Sequence, residues 1–453
     1  MLRIHDSAKG ELVDFVPREP GKVSMYVCGP TVYAEPHLGH GRFALVWDVV
    51  RRYLEWRGFD VRFVSNITDI EDKIINRANE EGRPTEEVVD EYTASWYACI
   101  DRLGVRRPDA DPRATGYVDR MVAYIADLVA RGRAYVTPSG VYFSVESIED
   151  YGLLARQSLQ NLLVGGGDRE IYGQQDKRNP LDFALWKFAK PGEPAWDSPW
   201  EPGRPGWHIE CTVMSLDLLG DGFDIHGGGE DLRFPHHENE RAQSVGGGHP
   251  FARYWVHSGM VVAAGGEKMS KSLGNSVSLP ELLERIDPRA YRLLVVRAKY
   301  RSPLEVTEAT LADAAGGLAK LDEFARNLPP APDVESDPDV LDRFRDAMDD
   351  DFNMPTATAI VFDAVRAANS ARDAGDVTRA AALAAAVHEL LGVLGLDTPA
   401  AEADVDAWAA AKAAARDEAR ATKDWARADA LRDELVAAGW KVDDTASGTR
   451  LSR

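Results

Sequence analysis

Val23-Ser24-Met25-Tyr26-Val27-Cys28 reads as a strand, and Gly29-Pro30 stops it. The amphipathic stretch from Arg42 to Arg57 then reads as a helix, and Asp60 to Asn66 alternates as a second strand. Strand, helix and strand make a βαβ unit, with a loop at the carboxyl end of the first strand. Ligands of parallel sheets bind at such ends. His37-Leu38-Gly39-His40 falls in that loop, where a helix amino terminus offers unpaired N–H groups and a positive dipole to phosphate. Two imidazoles there can donate hydrogen bonds to a developing pyrophosphate charge, and Gly39 leaves room for a flat base.

With 453 residues the chain has the length for about three folding units. From about 115 to 205 the pattern is mixed, with Gly165-Gly166-Gly167 and a Pro- and Trp-rich run from Pro191 to Pro205. This stretch reads as an insertion within the sheet domain. Strand-like and loop segments are expected from 206 to 265. From about 305 onward the chain reads as helical, Ala-rich and charge-patterned around 312–328, 356–395 and 403–438. Asp397-Thr398-Pro399 marks a linker, and Trp440 to Arg453 is long enough only to close a small sheet over the preceding helix.

A formal net charge of −21 argues against a generic nucleic-acid coat, so any nucleic acid must meet local basic patches. Three cysteines, Cys28, Cys99 and Cys211, are too few and too scattered for a disulfide framework and point to metal binding or catalysis in a reducing compartment. Cys99, within Trp96-Tyr97-Ala98-Cys99-Ile100, reads as part of a helix packed on the sheet. Met1 to Gly10 is polar and charged, and no apolar run is expected to span a bilayer. A soluble cytoplasmic protein, with no membrane partner, is the expectation.

Lys268-Met269-Ser270-Lys271-Ser272 follows Gly265-Gly266, placing two ammonium groups on a glycine-flanked loop able to close over polyphosphate. Either motif alone is weak; the pair, in this order after a βαβ start, is strong. Together they resemble the two signatures of class I aminoacyl-tRNA synthetases. Tyr26-Val27-Cys28-Gly29-Pro30-Thr31-Val32-Tyr33, Asn66-Ile67-Thr68-Asp69, Gly206-Trp207-His208-Ile209-Glu210-Cys211 and Phe234-Pro235-His236-His237-Glu238-Asn239-Glu240 look like the cysteinyl branch. Met348-Asp349-Asp350-Asp351-Phe352-Asn353 and Ala428-Asp429-Ala430-Leu431-Arg432-Asp433 extend the resemblance into the helical region.

The resemblance implies an α/β fold: a Rossmann-type parallel-sheet catalytic domain with an inserted subdomain, then a helical-bundle anticodon-binding domain and a small C-terminal α/β tail. The implied division is 1–115 and 206–265 for the catalytic domain, 116–205 for the insertion, and 266–310 for the basic loop and stem-contact region. The bundle would span 311–398 and the tail 399–453. The implied activity is ATP-dependent activation of L-cysteine and its transfer to tRNA(Cys) by a monomer.

Carried over residue by residue, the resemblance puts His37, Gly39, His40, Lys268 and Lys271 around ATP with Mg2+, and Gly227, Gly228, Gly229 and Asp231 near its adenosine. It puts Cys28, Gly29, Thr31, Thr68 and Trp207 around cysteine, and one Zn2+ on Cys28, Cys211, His236 and Glu240. Soft thiolates with imidazole and carboxylate suit zinc. His236 and Glu240 are spaced i,i+4 and His237 and Glu240 i,i+3, so spacing leaves both histidines open, and the choice of His236 comes from the resemblance. Zinc separates cysteine from serine, because a hydroxyl forms no comparable bond at neutral pH, so no editing domain is expected.

Three other readings compete, one of them the shorter HxGH nucleotidyltransferases, whose chains are usually single domains. Cysteine:glucosaminyl-inositol ligases of mycothiol synthesis resemble the catalytic domain but lack the helical tail, and a zinc- and tRNA-binding paralogue would have lost catalysis. One departure concerns anticodon reading: where the family often places a tryptophan near the end, this chain has Leu451, so specificity is expected to lean on the acceptor end or on Trp440.

Overall fold

The computed structural model describes residues 1–158, 161, 174–263, 265, 277–331, 333–397, 407–445 and 448–452. Lys268, Lys271, the glycine run 165–167 and the linker residues Thr398 and Pro399 lie outside them. The opening unit forms β1 (Lys22–Val27), α1 (Leu38–Trp56) and β2 (Asp60–Ser65). Much later in the chain come α2 (Trp207–Leu219), β3 (Ile225–Gly229), α3 (Glu238–Gly246) and β4 (Tyr254–Ser258).

The four strands make one parallel sheet in the order β4-β3-β1-β2. Met25 lies opposite Phe63 on one side and Ile225 on the other, so β1 is paired on both edges. Its apolar residues are buried accordingly, as both faces of a parallel sheet demand. The chain leaves β1 toward β2 and later pairs β3 on the opposite edge, which opens a crevice at the carboxyl ends of β1 and β3. α1 buries Leu45, Trp47, Val49, Val50 and Tyr53. Trp47 lies so close to β3 that a Cβ on Gly227 would sit 2.5 Å from its ring, which explains that glycine without invoking a ligand.

Of the strands and loops expected over 206–265, β3 and β4 are present, and α2 is the correction. α2 buries Ile209 through Ser215 without interruption, so it carries no amphipathic period to betray a helix. The insertion is a four-stranded antiparallel sheet of Ala134–Val136, Gly140–Phe143, Phe183–Phe188 and Gly203–Pro205, with the helix Val118–Ala130. Its Met121, Phe143 and Trp186 share a core with Cys28, Cys211 and Trp255. The hairpin Arg3–Asp6 with Glu11–Asp14 had no counterpart in the sequence reading.

Four further helices, Glu308–Asn327, Pro338–Asp349, Met354–Asp373 and Val377–Leu394, complete the first compact unit, Met1–Leu396. The expected stretch 356–395 is broken at Gly375, whose φ of 79° suits glycine. Tyr53 of α1 donates to Asp349 Oδ1 at 2.6 Å, and the buried Arg292, on the helix Pro288–Val296, pairs with Asp48 of α1 at 2.7 Å and donates to Leu394 O at 3.3 Å. Contrary to expectation, Val377–Leu394 is long and apolar enough to cross a bilayer by composition. Its Leu383, Val387, Leu390 and Leu394 are instead buried in this core.

The second unit, Asp397–Arg453, contains the helices Ala407–Ala421 and Trp425–Ala437 and the hairpin Lys441–Thr445 with Gly448–Ser452. Ala409, Ala413, Leu435, Trp440 and Leu451 form its core. Trp440 is only 2% exposed, which corrects the expectation that its ring could serve a nucleobase. Replacing Leu390 by Ala should destabilise the first unit by about 2–5 kcal/mol through the cavity it leaves. Urea unfolding followed by circular dichroism checks this, and an unchanged midpoint would refute the packing described.

Candidate active site

The crevice begins where β1 ends. Gly29 approaches the backbone of Asn66 so closely that a Cβ would lie 1.6 Å from its carbonyl oxygen, and its N–H donates to Asn66 Oδ1 at 2.9 Å. Only glycine fits there. Asn66 Nδ2 donates to Thr68 Oγ1 at 3.2 Å, and Thr31 bridges Thr68, so pairing continues past the two strands. Thr31 and Thr68 thus line the end of β1 beside Cys28.

Cys28, Cys211, His236 and Glu240 converge there, with one donor atom from each within 4.8 Å of the others, and all four are buried. The sulfurs are 3.7 Å apart, Cys28 Sγ is 3.5 Å from Glu240 Oε1, and His236 Nε2 is 3.1 Å from the same oxygen. A second group, Cys28, His226, His237 and Glu240, meets the same distance test. Hydrogen bonding separates the two groups. His226 holds Glu240 Oε2 at 2.8 Å and Tyr26 O at 3.2 Å, whereas His237 contacts Cys28 Sγ at 3.4 Å and His257 Nε2 at 2.9 Å. His236 is hydrogen-bonded through Nδ1 to His208 Nδ1 at 2.8 Å, and its buried Nε2, 3.1 Å from Glu240 Oε1, makes no hydrogen bond among the described residues. An imidazole fixed through one nitrogen and open at the other is the form a metal ligand takes.

The helical spacing of the two candidate histidines holds, on a helical turn that runs directly into α3. α3 starts at Glu238, and His236 and His237 lie on the wide turn Arg233–His237 before it. That turn aims both rings at Glu240, at 3.1 and 4.0 Å. Sequence reasoning missed the rest of the histidine network, His208, His226 and His257, because its members are spread over fifty residues with no repeating interval. His257 Nδ1 is in turn 2.7 Å from Ser7 Oγ. Burial lowers His208 and His257 to about 3 and holds His236 and His237 well below the ordinary histidine range, so these rings are neutral. The glycines of β3 make room for them: a Cβ on Gly228 would sit 2.5 Å from His237. Trp207, at the start of α2, stacks on His236 with centroids 4.0 Å apart.

His37 caps α1, and its ring stacks on His40 at 3.8 Å, while its backbone N–H donates to His40 Nδ1 at 3.2 Å. Gly39 sits between them in the first turn. Gly229 ends β3, where a Cβ would lie 2.5 Å from the carboxylate of Asp231, an exposed residue. The glycine run is therefore strand rather than tight turn.

Residues 14–316 match the family described as tRNA synthetases class I (C) catalytic domain, and 343–398 match the DALR domain. The chain is 48% identical to the cysteine–tRNA ligase of Halorhodospira halophila over 100% of both chains. It belongs to the cysteine–tRNA ligase family. To the cysteine–tRNA ligase of Streptomyces avermitilis it is 45% identical, over 99% of this chain and 98% of that one. In fold it is similar to Mycobacterium tuberculosis methionyl-tRNA synthetase in complex with methionyl-adenylate, with a TM-score of 0.60 at 16% identity over 83% of this chain and 90% of that one. A putative arginyl-tRNA synthetase from Campylobacter jejuni gives 0.55 at 13% identity, over 85% and 95%. Membership thus rests on the full-length relatives, and the structures speak for the class I fold.

Burial also pushes the Cys28 and Cys211 thiols above the ordinary range, so both carry protons at neutral pH when no metal is bound. His236 is already neutral and has no proton to lose. Metal binding should therefore release two protons from the thiols, and affinity should fall about a hundredfold for each pH unit of acidification. Competition with a chelator at pH 6.5 and 7.5 measures this, and a pH-independent affinity would contradict it.

Proposed function

We propose that the chain activates L-cysteine with ATP and transfers it to the 3′ end of tRNA(Cys), acting as a cytoplasmic monomer. The observation that carries this is the buried Cys28, Cys211, His236 and Glu240 group at the end of β1 in a member of this family. In the proposed reaction the cysteine carboxylate attacks the α-phosphorus of ATP and pyrophosphate leaves. A terminal ribose hydroxyl then takes the cysteinyl group and AMP departs. No protein nucleophile is needed, so the work lies in positioning and charge stabilisation.

His37 and His40, at the amino terminus of α1, would stabilise the leaving pyrophosphate with Lys268, Lys271 and Mg2+, and Gly39 would admit the base. Gly227, Gly228, Gly229 and Asp231 would border the adenosine. The metal group fits zinc in donor chemistry: two sulfurs, one imidazole nitrogen held from behind, and one carboxylate. Its ligands would be Cys28, Cys211, His236 and Glu240. Zinc bound there would supply a soft Lewis acid for the substrate sulfur, to which a serine hydroxyl offers no comparable bond. Gly29, Thr31, Thr68 and Trp207 would hold the rest of the amino acid, with Trp207 closing over His236.

The amino-sugar ligase reading is not favoured, because full-length relatives are cysteine–tRNA ligases and a DALR domain is present. Labelled cysteine, offered with ATP and Mg2+ to bacterial tRNA and separately to glucosaminyl-inositol, tests the proposal. Base-labile label in precipitable tRNA is expected, and label only on the amino sugar would overturn it. Replacing His236 by Ala should remove zinc from the purified chain, whereas His237→Ala should retain it. Elemental analysis decides, and the reverse pattern would move the site to the second histidine.

A further inference from the structure

Glu210 stands on α2 one residue before Cys211 and is fully buried. Its Oε2 accepts a hydrogen bond from Thr68 Oγ1 at 3.1 Å. Its Oε1 has no hydrogen-bond partner among the described residues. A buried carboxylate oxygen left unpaired is costly and calls for an explanation. Neighbouring side chains do not provide one. The nearby Lys187 holds Asp72 at 2.5 Å, as does Arg204, and the neighbouring Asp69 accepts from Thr115 N at 2.9 Å. The surroundings are rich in acceptors, and among the described residues no ion pair to Glu210 is formed.

We propose that Glu210, acting with Thr68, forms the subsite for the α-ammonium group of the amino-acid substrate. This rests on the reading of the crevice as a cysteine site and deepens it. α2 reaches both ends of the segment Asn66–Thr68: Cys211 Sγ lies 3.7 Å from Asn66 Oδ1, and Glu210 reaches Thr68. Trp207 lies one helical turn before both. A molecule with a soft sulfur and a cationic amine two carbons apart matches that pairing of thiol and carboxylate. Glu210 also fixes the sense of the threonine hydroxyl. Thr68 Oγ1 accepts from Asn66 Nδ2 and donates to Glu210, so its remaining lone pair is left for an ammonium proton. Glu210 is thus a positioning residue through Thr68 and, through Oε1, a direct acceptor for the substrate.

Calorimetric titration of the metal-loaded full chain with L-cysteine and with 3-mercaptopropionate, which lacks only the amino group, tests the proposal. The unaltered protein should prefer cysteine by about tenfold to a hundredfold, the range of a charge-assisted hydrogen bond. In Glu210→Gln, whose amide can turn an N–H toward Thr68 and reverse its hydroxyl, that preference should collapse while 3-mercaptopropionate binds as before. Thr68→Val should show the same convergence, which keeps the test usable if one variant fails to fold. In pyrophosphate exchange, the KM for cysteine should rise with the KM for ATP unchanged. Variants that keep the full preference would overturn the role of Glu210 and leave the cysteine site standing. Failure of the unaltered chain to bind either thiol would bring down both.

Discussion

Parallel pairing of β1 on both of its edges is the constraint from which the rest of the site follows. A strand held by β2 on one side and β3 on the other must deliver its next residues into the crevice between them. Cys28 is the first of those residues, and Gly29 is pinned to Asn66 at the end of β2. The chain then turns into α1, whose first residues carry the histidine signature and whose Trp47 packs beneath Gly227 of β3. Sulfur, the imidazoles at the start of α1 and the glycine edge are therefore brought together by one strand order rather than by separate devices.

Into that crevice the fold packs a group that water cannot stabilise. Two thiols, several neutral histidines and the carboxylates of Glu210 and Glu240 are buried together with no Lys or Arg ion-paired to either carboxylate among the described residues. Each unpaired polar atom there carries a desolvation cost. Hydrogen bonds between His226 and Glu240, between His208 and His236 and between Ser7 and His257 satisfy part of the network. Among the buried atoms left without hydrogen-bond partners, His236 Nε2 and Glu210 Oε1 are the two that the proposed metal and substrate would complete.

What could be read in advance depended on whether a residue's environment leaves a local pattern. β1 is an apolar run stopped by Gly29-Pro30, β2 alternates over its first residues and α1 is a long apolar-rich stretch between them, so their spans were legible to within a few residues apart from the first turn of α1. α2 was not, because burial on all sides erases periodicity. The residues of the candidate metal group were nameable from the motifs, yet spacing could not choose between His236 and His237, since the wide turn aims both at Glu240. That distinction lies in ring-nitrogen partners contributed by His208, His226 and His257, which are distant in sequence. Trp440 was likewise read as available to a nucleobase and proved to be core, packed with Leu435 and Leu451, whereas Trp408 and Trp425 of the same unit stay exposed.

The most direct test of the central claim, that this buried group is a metal site whose purpose is to take the substrate sulfur, is zinc K-edge X-ray absorption on the purified full chain with and without L-cysteine. The account predicts sulfur scattering from two ligands in the free protein and from three when cysteine is bound, with serine producing no change. A sulfur count that stays the same on adding saturating cysteine would contradict it.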